Sequence, residues 1–215
     1  MKDCTGKVLK QLIERYPSLS GSEQEISEAY NLIYDALDEG HSLFTCGNGG
    51  SDADARHIVG ELRKRFRLPR PVTEEMRDKL SLLGKDGAYL IEHLERALPV
   101  LCLNENSSLI SAYENDAAPD AALAQSLFGA AKQGDVLLCI STSGNSQNCV
   151  LAATLAKGMG LVTVSLTGAK PSKLSQLSDV TIKAPETETY LVQEMHLPIY
   201  HCLCAMLECE FYGNE

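Results

Sequence analysis

The 215-residue sequence contains no tryptophan, and only 6% of it is aromatic. A core must therefore be built mainly from aliphatic side chains. These are plentiful, because 44% of the residues are hydrophobic, and the length suits one sizeable core better than two. Basic charge is in deficit, with 19 Lys and Arg against 29 Asp and Glu and a net charge of −10. Such a chain repels a phosphate backbone, which argues against sequence-independent nucleic-acid binding. Small anions remain open as ligands, since backbone N–H groups bind them locally. No stretch approaches the roughly 18 apolar residues of a membrane span. Met1-Lys2-Asp3-Cys4 leads into a polar amphipathic segment rather than a signal-peptide core, so the expectation is a cytoplasmic protein. The eight cysteines form no C-x-x-C pair, and several sit inside apolar runs. They read as small buried hydrophobes with reduced thiols and not as a zinc site. A P-loop and a G-x-G-x-x-G fingerprint are both absent, so no nucleotide cofactor is expected.

What the sequence does hold is a series of short apolar runs separated by helical patterns. Segments 43–46, 100–103, 136–140, 162–166 and 180–182 are nearly all apolar. Strands of that kind are buried on both faces, so the pattern predicts an α/β fold with a five-stranded parallel sheet and helices on both sides. Ser22-Glu23-Gln24-Glu25 has the form of a capping box, followed by Ile26, Ala29, Tyr30, Ile33 and Leu37 at helical spacing, with Gly40 as a stop. An earlier helix is expected over 8–16, so that N-terminal helices fill about 7–39. Two short helices are expected within a charged insertion at about 68–98. A long apolar helix is predicted over 189–211, with Pro198 bending or breaking it.

Two glycine-rich loops directly follow predicted strands. The first is Cys46-Gly47-Asn48-Gly49-Gly50-Ser51, and the second is Ser141-Thr142-Ser143-Gly144-Asn145-Ser146. Glycine lets the backbone approach a ligand, and the helix starting after each loop favours an anion. Hydroxyls at Ser141, Thr142, Ser143 and Ser146 add neutral donors suited to phosphate oxygens. The same residue types also serve strand-to-helix turns for geometry alone.

His57 and Glu61 lie four apart and share a helical face. Such a pair can ligate a divalent metal, divide acid and base work, or stand as an exposed ion pair. The terminal helix adds Gln193, Glu194, His196 and His201 to an apolar background, where polar groups need partners. The basic run Arg63-Lys64-Arg65-Phe66-Arg67 reads as a solvated face or as a funnel for an anionic substrate.

Taken together, CGNGGSDADARHIVGEL, the END at 114–116, GDVLLCISTSGNSQN, LVTVSLTG and VQEMHLPIYH resemble the SIS (sugar isomerase) phosphosugar-binding family. The likeness is greatest to its phosphoheptose isomerases, and the insertion is longer than that family's usual connection. The resemblance implies a single domain over 1–215, folded as a flavodoxin-like three-layer sandwich. It implies a ketose–aldose isomerase acting on sedoheptulose 7-phosphate. Substrate would be held by Asn48, Gly49, Gly50, Ser51, Glu61, Asn115, Asp116 and Gln193, with phosphate on Ser141, Thr142, Ser143 and Ser146. Glu61 and His201 would be the acid/base residues, and one Zn²⁺ would sit on His57, Glu61, Gln193 and His201. A homotetramer is also implied.

Gln193 and His201 are eight residues apart, about 12 Å on a straight helix. One metal reaches both only if the side chains lean together, if the helix bends at Pro198, or if different subunits supply them. Two other functions compete with the main one: an isomerase of another phosphosugar, and a non-catalytic adaptor resembling the DnaA initiator-associating proteins. Those adaptors lack the acid and the histidine at the positions of Glu61 and His201, both of which are present here.

Overall fold

The computed structural model describes residues 2–213. The chain begins with α1 (Asp3–Arg15), a 3-10 turn (Pro17–Ser22) and α2 (Glu23–Asp38). It continues through β1 (Leu43–Cys46), α3 (Gly50–Arg63), α4 (Glu74–Ser81), α5 (Gly84–His93), β2 (Val100–Cys102), α6 (Ser107–Asp116) and α7 (Ala122–Phe128). The remaining elements are β3 (Val136–Ile140), α8 (Gln147–Gly158), β4 (Val162–Thr167), α9 (Lys173–Leu177), β5 (Val180–Lys183) and α10 (Thr189–Tyr212).

The five strands form one parallel sheet in the order β2-β1-β3-β4-β5. Alternate strand residues face opposite sides, and each side is covered by helices. Leu43, Val136, Leu138, Ile140, Val164 and Leu166 pack with Leu12, Ile26, Ile33, Ile58 and Leu203, from α1, α2, α3 and α10. Phe44, Cys46, Leu137 and Cys139 point the other way, against Leu127, Val150, Ala153 and Leu174 of α7, α8 and α9. The expected α/β sandwich is therefore present, with an aliphatic core in each layer. Chain order reverses between β1 and β3, since β1 is followed by β2 on one side and β3 joins on the other. That switch point, beyond the carboxyl ends of the strands, is where open α/β sheets bind ligands. Both glycine-rich loops emerge there.

Three expectations need correction. Ser22 does not cap α2: its backbone is near φ −116° and ψ 10°, and its hydroxyl donates to the Lys183 carbonyl at 2.7 Å. The 3-10 turn runs straight into α2, so Ser22 never adopts the extended geometry a capping side chain needs. The first helix starts at Asp3 rather than near Val8. Not every cysteine is a free thiol, because Cys4 and Cys209 form a disulfide between α1 and α10. The other six are free and buried.

The insertion does hold two short helices. Its ends are tied by an antiparallel bridge between Pro71 and Glu95 and by the Arg96 N–H donating to the Arg70 carbonyl at 2.8 Å. α10 is continuous through Pro198. None of the described helices is long and apolar enough to cross a membrane.

Candidate active site

The first loop turns sharply after β1. Gly49 sits at φ +56°, and a side chain on Gly47 would run into the backbone of Ser51. Asn104, just past β2, holds Gly47 from both ends: its amide donates to the Gly47 carbonyl at 3.0 Å and accepts the Gly47 N–H at 3.4 Å. Asn48 and Asn148 exchange two amide hydrogen bonds of 2.8 Å, which lock the first loop to the start of α8. The second loop is closed by Gly144 at φ +62°, whose N–H donates to the Ser141 carbonyl at 3.0 Å. A Cβ on Gly144 would collide with Ser172. Within that loop the hydroxyls of Ser141 and Ser146 are 3.1 Å apart, Ser143 is exposed and Thr142 is half-buried. The two loops thus line one rim of the sheet, with the Ser141 and Ser146 hydroxyls side by side.

α3 and α10 cross at the inner face of that rim. Gln193 packs against Gly50 so closely that a Cβ there would overlap its amide. Further along the same faces, His57 contacts Glu61 through Nε2 and Oε1 at 3.0 Å. On its other side, His57 Nδ1 is 2.9 Å from the Tyr200 hydroxyl, which donates to Asp54 Oδ1 at 3.3 Å. The ring of His201 stands edge-on to His57, with centroids 5.0 Å apart, and packs on Phe66 at 5.5 Å. Among the described residues, His201 Nε2 is buried with no hydrogen-bond partner. Lys64 Nζ lies 3.3 Å from the outer oxygen of Glu61.

The electrostatics follow from burial. Desolvation holds the His201 imidazole below its ordinary range, aided by the neighbouring His57 and opposed by Glu61. A neutral imidazole at pH 7 can accept or donate a proton. Desolvation also raises the Asp54 carboxyl, against the Tyr200 hydrogen bond, the His57 charge and the Gln193 amide. The Tyr200 hydroxyl is pushed up as well, first by burial and then by Asp54.

The structure therefore gathers Asn48, Gly49, Gly50, Ser51 and the serine loop at one end. It gathers His57, Glu61 and His201 at the other, and Gln193 stands between them. Asn115 and Asp116 are not drawn in. They end α6, are exposed, and make their side-chain hydrogen bond to each other at 2.7 Å.

The four-donor zinc set is not assembled within this chain either. Gln193 is turned to Gly50 and Asp54, while His201 lies two helical turns away beside His57. Among the described residues no three His, Cys, Asp or Glu side chains are placed to hold a metal ion. The orphaned Nε2 of His201 and the carboxylate of Glu61 are suitable donors in kind, but the arrangement does not bring the four together.

Four residues of the site were not singled out from the sequence: Asp54, Asn104, Asn148 and Tyr200. Asp54 does share the α3 face of His57 and Glu61, three and seven residues before them, and a buried tyrosine requires a partner for its hydroxyl. The two asparagines carry no such local signal.

Comparison with known proteins identifies the family. The SIS domain family model matches residues 8–97 and 87–168. A phosphoheptose isomerase of Akkermansia muciniphila is 32% identical over 203 residues, 94% of each chain. Another, of Aneurinibacillus thermoaerophilus, is 34% identical over 190 residues, covering 88% of this chain and 83% of that one. The solved phosphoheptose isomerase of Francisella tularensis shares the fold, with a TM-score of 0.74 at 23% identity over 94% of this chain and 95% of that one. The chain belongs to the SIS domain family and, within it, groups with the phosphoheptose isomerases.

Proposed function

We propose that the protein is a ketose–aldose isomerase that converts sedoheptulose 7-phosphate to D-glycero-D-manno-heptose 7-phosphate. The observation that carries this reading is the meeting of Glu61, His57 and His201 on the faces of α3 and α10 that lead away from the two loops. Along α3, His57 and Glu61 stand about 10 Å and 16 Å from Gly50, at 1.5 Å per residue. A sugar phosphate anchored by its phosphate on Ser141, Thr142, Ser143 and Ser146 extends its carbonyl end toward them, past Asn48, Gly49, Gly50 and Ser51.

The chemistry is proton transfer between C1 and C2 through an enediol. Glu61 removes a proton from C1 of the ketose as its base. The O1 hydroxyl gives up its proton and the O2 oxygen gains one, a transfer that His201 mediates as a neutral imidazole. Glu61 returns its proton to C2, which leaves the aldose and restores the carboxylate. His57 holds the inner oxygen of Glu61 and is itself held by Tyr200. The mechanism uses this chain's own acid and base, with no step assigned to a metal.

A separate part of the proposal is Zn²⁺ on His57, Glu61, Gln193 and His201, which rests on the family resemblance and requires Gln193 to leave Gly50. The proposal also includes a cytoplasmic homotetramer. Exposed Tyr190 and Leu197 on α10, at 65% and 42% of full exposure, are suited to burial by a second copy.

The test is Glu61→Gln and His201→Gln, each assayed on sedoheptulose 7-phosphate with metal content measured on the same samples. Each is expected to lose about 10²-fold or more in turnover while remaining folded. A folded double variant that works at the parent rate would sink the assignment. Light scattering on the parent protein tests the tetramer, and an active monomer overturns it.

A further inference from the structure

Arg70 and Glu208 form an ion pair with essentially no exposure, 0% and 1% for the two side chains. The contacts are Nη2 to Oε1 at 2.9 Å and Nε to Oε1 at 3.0 Å. Burying two charges is expensive, and apolar residues of similar volume often serve stability as well or better. The remaining bonds of the pair show what it holds. Arg70 Nη1 donates to the Leu62 carbonyl at 2.8 Å, and Nη2 donates to the Glu61 carbonyl at 3.3 Å. These carbonyls belong to the last turn of α3, which has no helical donors to satisfy them. Glu208 accepts the backbone N–H of Phe66 and of Arg67, each at 2.7 Å. Phe66 in turn packs on the ring of His201. The Tyr212 ring lies 4.5 Å under the Arg70 guanidinium and completes its enclosure.

We infer that Arg70 and Glu208 are positioning residues that fix Glu61 and His201 relative to each other. Arg70 seats the turn that carries Glu61, and Glu208 seats Phe66, the platform for His201. Glu208 is itself on α10, seven residues after His201. One buried pair thus ties the end of α3, the segment after it and α10 into a single frame around the acid/base groups. This rests on the isomerase reading, because the frame matters to turnover only if Glu61 and His201 do the chemistry.

The test compares Glu208→Gln and Arg70→Lys with the parent in steady-state kinetics on sedoheptulose 7-phosphate and in amide hydrogen exchange. Lysine can still meet Glu208, but a single ammonium lacks the fork that reaches two carbonyls at once. For Arg70→Lys, kcat is expected to fall about tenfold or more, as small misplacements of reacting groups cost. KM should stay within about twofold, because the phosphate loop is untouched. Exchange should accelerate over residues 61–67 and not across the sheet. A purely structural pair would lower thermal stability while leaving kcat per folded protein unchanged, and that result overturns the inference. Should Glu208→Gln fail to fold, Arg70→Lys decides the question. Failure of both to fold also overturns it, by showing that the pair holds the whole domain. If the parent has no isomerase activity, the functional reading falls by itself. The positioning claim is then judged on exchange, with local acceleration supporting it and uniform acceleration refuting it.

Discussion

His196 is the fully buried histidine of α10, at 0% exposure, and it offers a sharp test of how that helix is seated. Its Nε2 donates to the Thr167 carbonyl at the end of β4, 3.3 Å away, while Nδ1 has no partner among the described residues. Desolvation pushes its pKa down from the ordinary 6.5 to about 4, and the Thr167 bond only partly opposes this. The folded pKa lies below the unfolded one, so acid protonates the unfolded chain first. Stability is fully present above about pH 6.5 and is lost as pH falls toward 4. At about 1.4 kcal/mol per pH unit, this one residue removes about 2 kcal/mol between pH 7 and pH 5. A difference between two proteins isolates this residue from every other titrating group. Urea unfolding of the parent and of His196→Gln at pH 7 and pH 5 measures that difference. The variant keeps a donor for Thr167 but cannot titrate, so its loss of stability on acidification should be smaller by about that amount. Equal losses in both proteins would refute the claim that His196 is held neutral inside the fold.

Two further predictions concern the loops. A Cβ on Gly47 meets immovable backbone at Ser51, whereas one on Gly50 meets the movable end of Gln193. Gly47→Ala should therefore cost about 2 kcal/mol or more in thermal or urea unfolding. Gly50→Ala should unfold near the parent, within about 1 kcal/mol, yet lose isomerase activity as Gln193 is displaced; the reverse order of stabilities would contradict the loop geometry. Asn148→Ala removes both amide bonds to Asn48 and should raise KM several-fold with about 1 kcal/mol of destabilisation. An unchanged KM would free the first loop from the substrate.

Much of the fold was legible because the sheet is parallel and buried on both faces. Such strands appear as uninterrupted apolar runs, and β1 and β3 fell on the expected residues. The edges were less clear: Leu103 is apolar and buried, yet it turns into a 3-10 segment instead of extending β2. Ser22 shows the limit of a local motif, since its hydroxyl is taken by Lys183, 161 residues away. The Cys4–Cys209 disulfide spans 205 residues and left no trace in the spacing of the cysteines.

The site divides in the same way. The loops and the His57–Glu61 pair are local patterns, and helical spacing placed them correctly on one face. In the sequence Tyr200 is indistinguishable from the core residues of an apolar helix, because its role depends on where α10 crosses α3. Arg70 stood in a proline-flanked stretch beyond a basic run, where nothing local distinguishes a buried guanidinium from a solvated one.

In the proposed mechanism Glu61 moves a proton between C1 and C2 of a ketose phosphate, and His201 moves one between O1 and O2. The most direct measurement is incubation of the purified protein with sedoheptulose 7-phosphate in D₂O, with the products resolved by NMR. The expected product is an aldose 7-phosphate, carrying deuterium at C2 wherever the proton on Glu61 exchanges with solvent before its return, formed by the parent and not by Glu61→Gln. Recovery of unchanged, undeuterated ketose from the folded parent protein would contradict it.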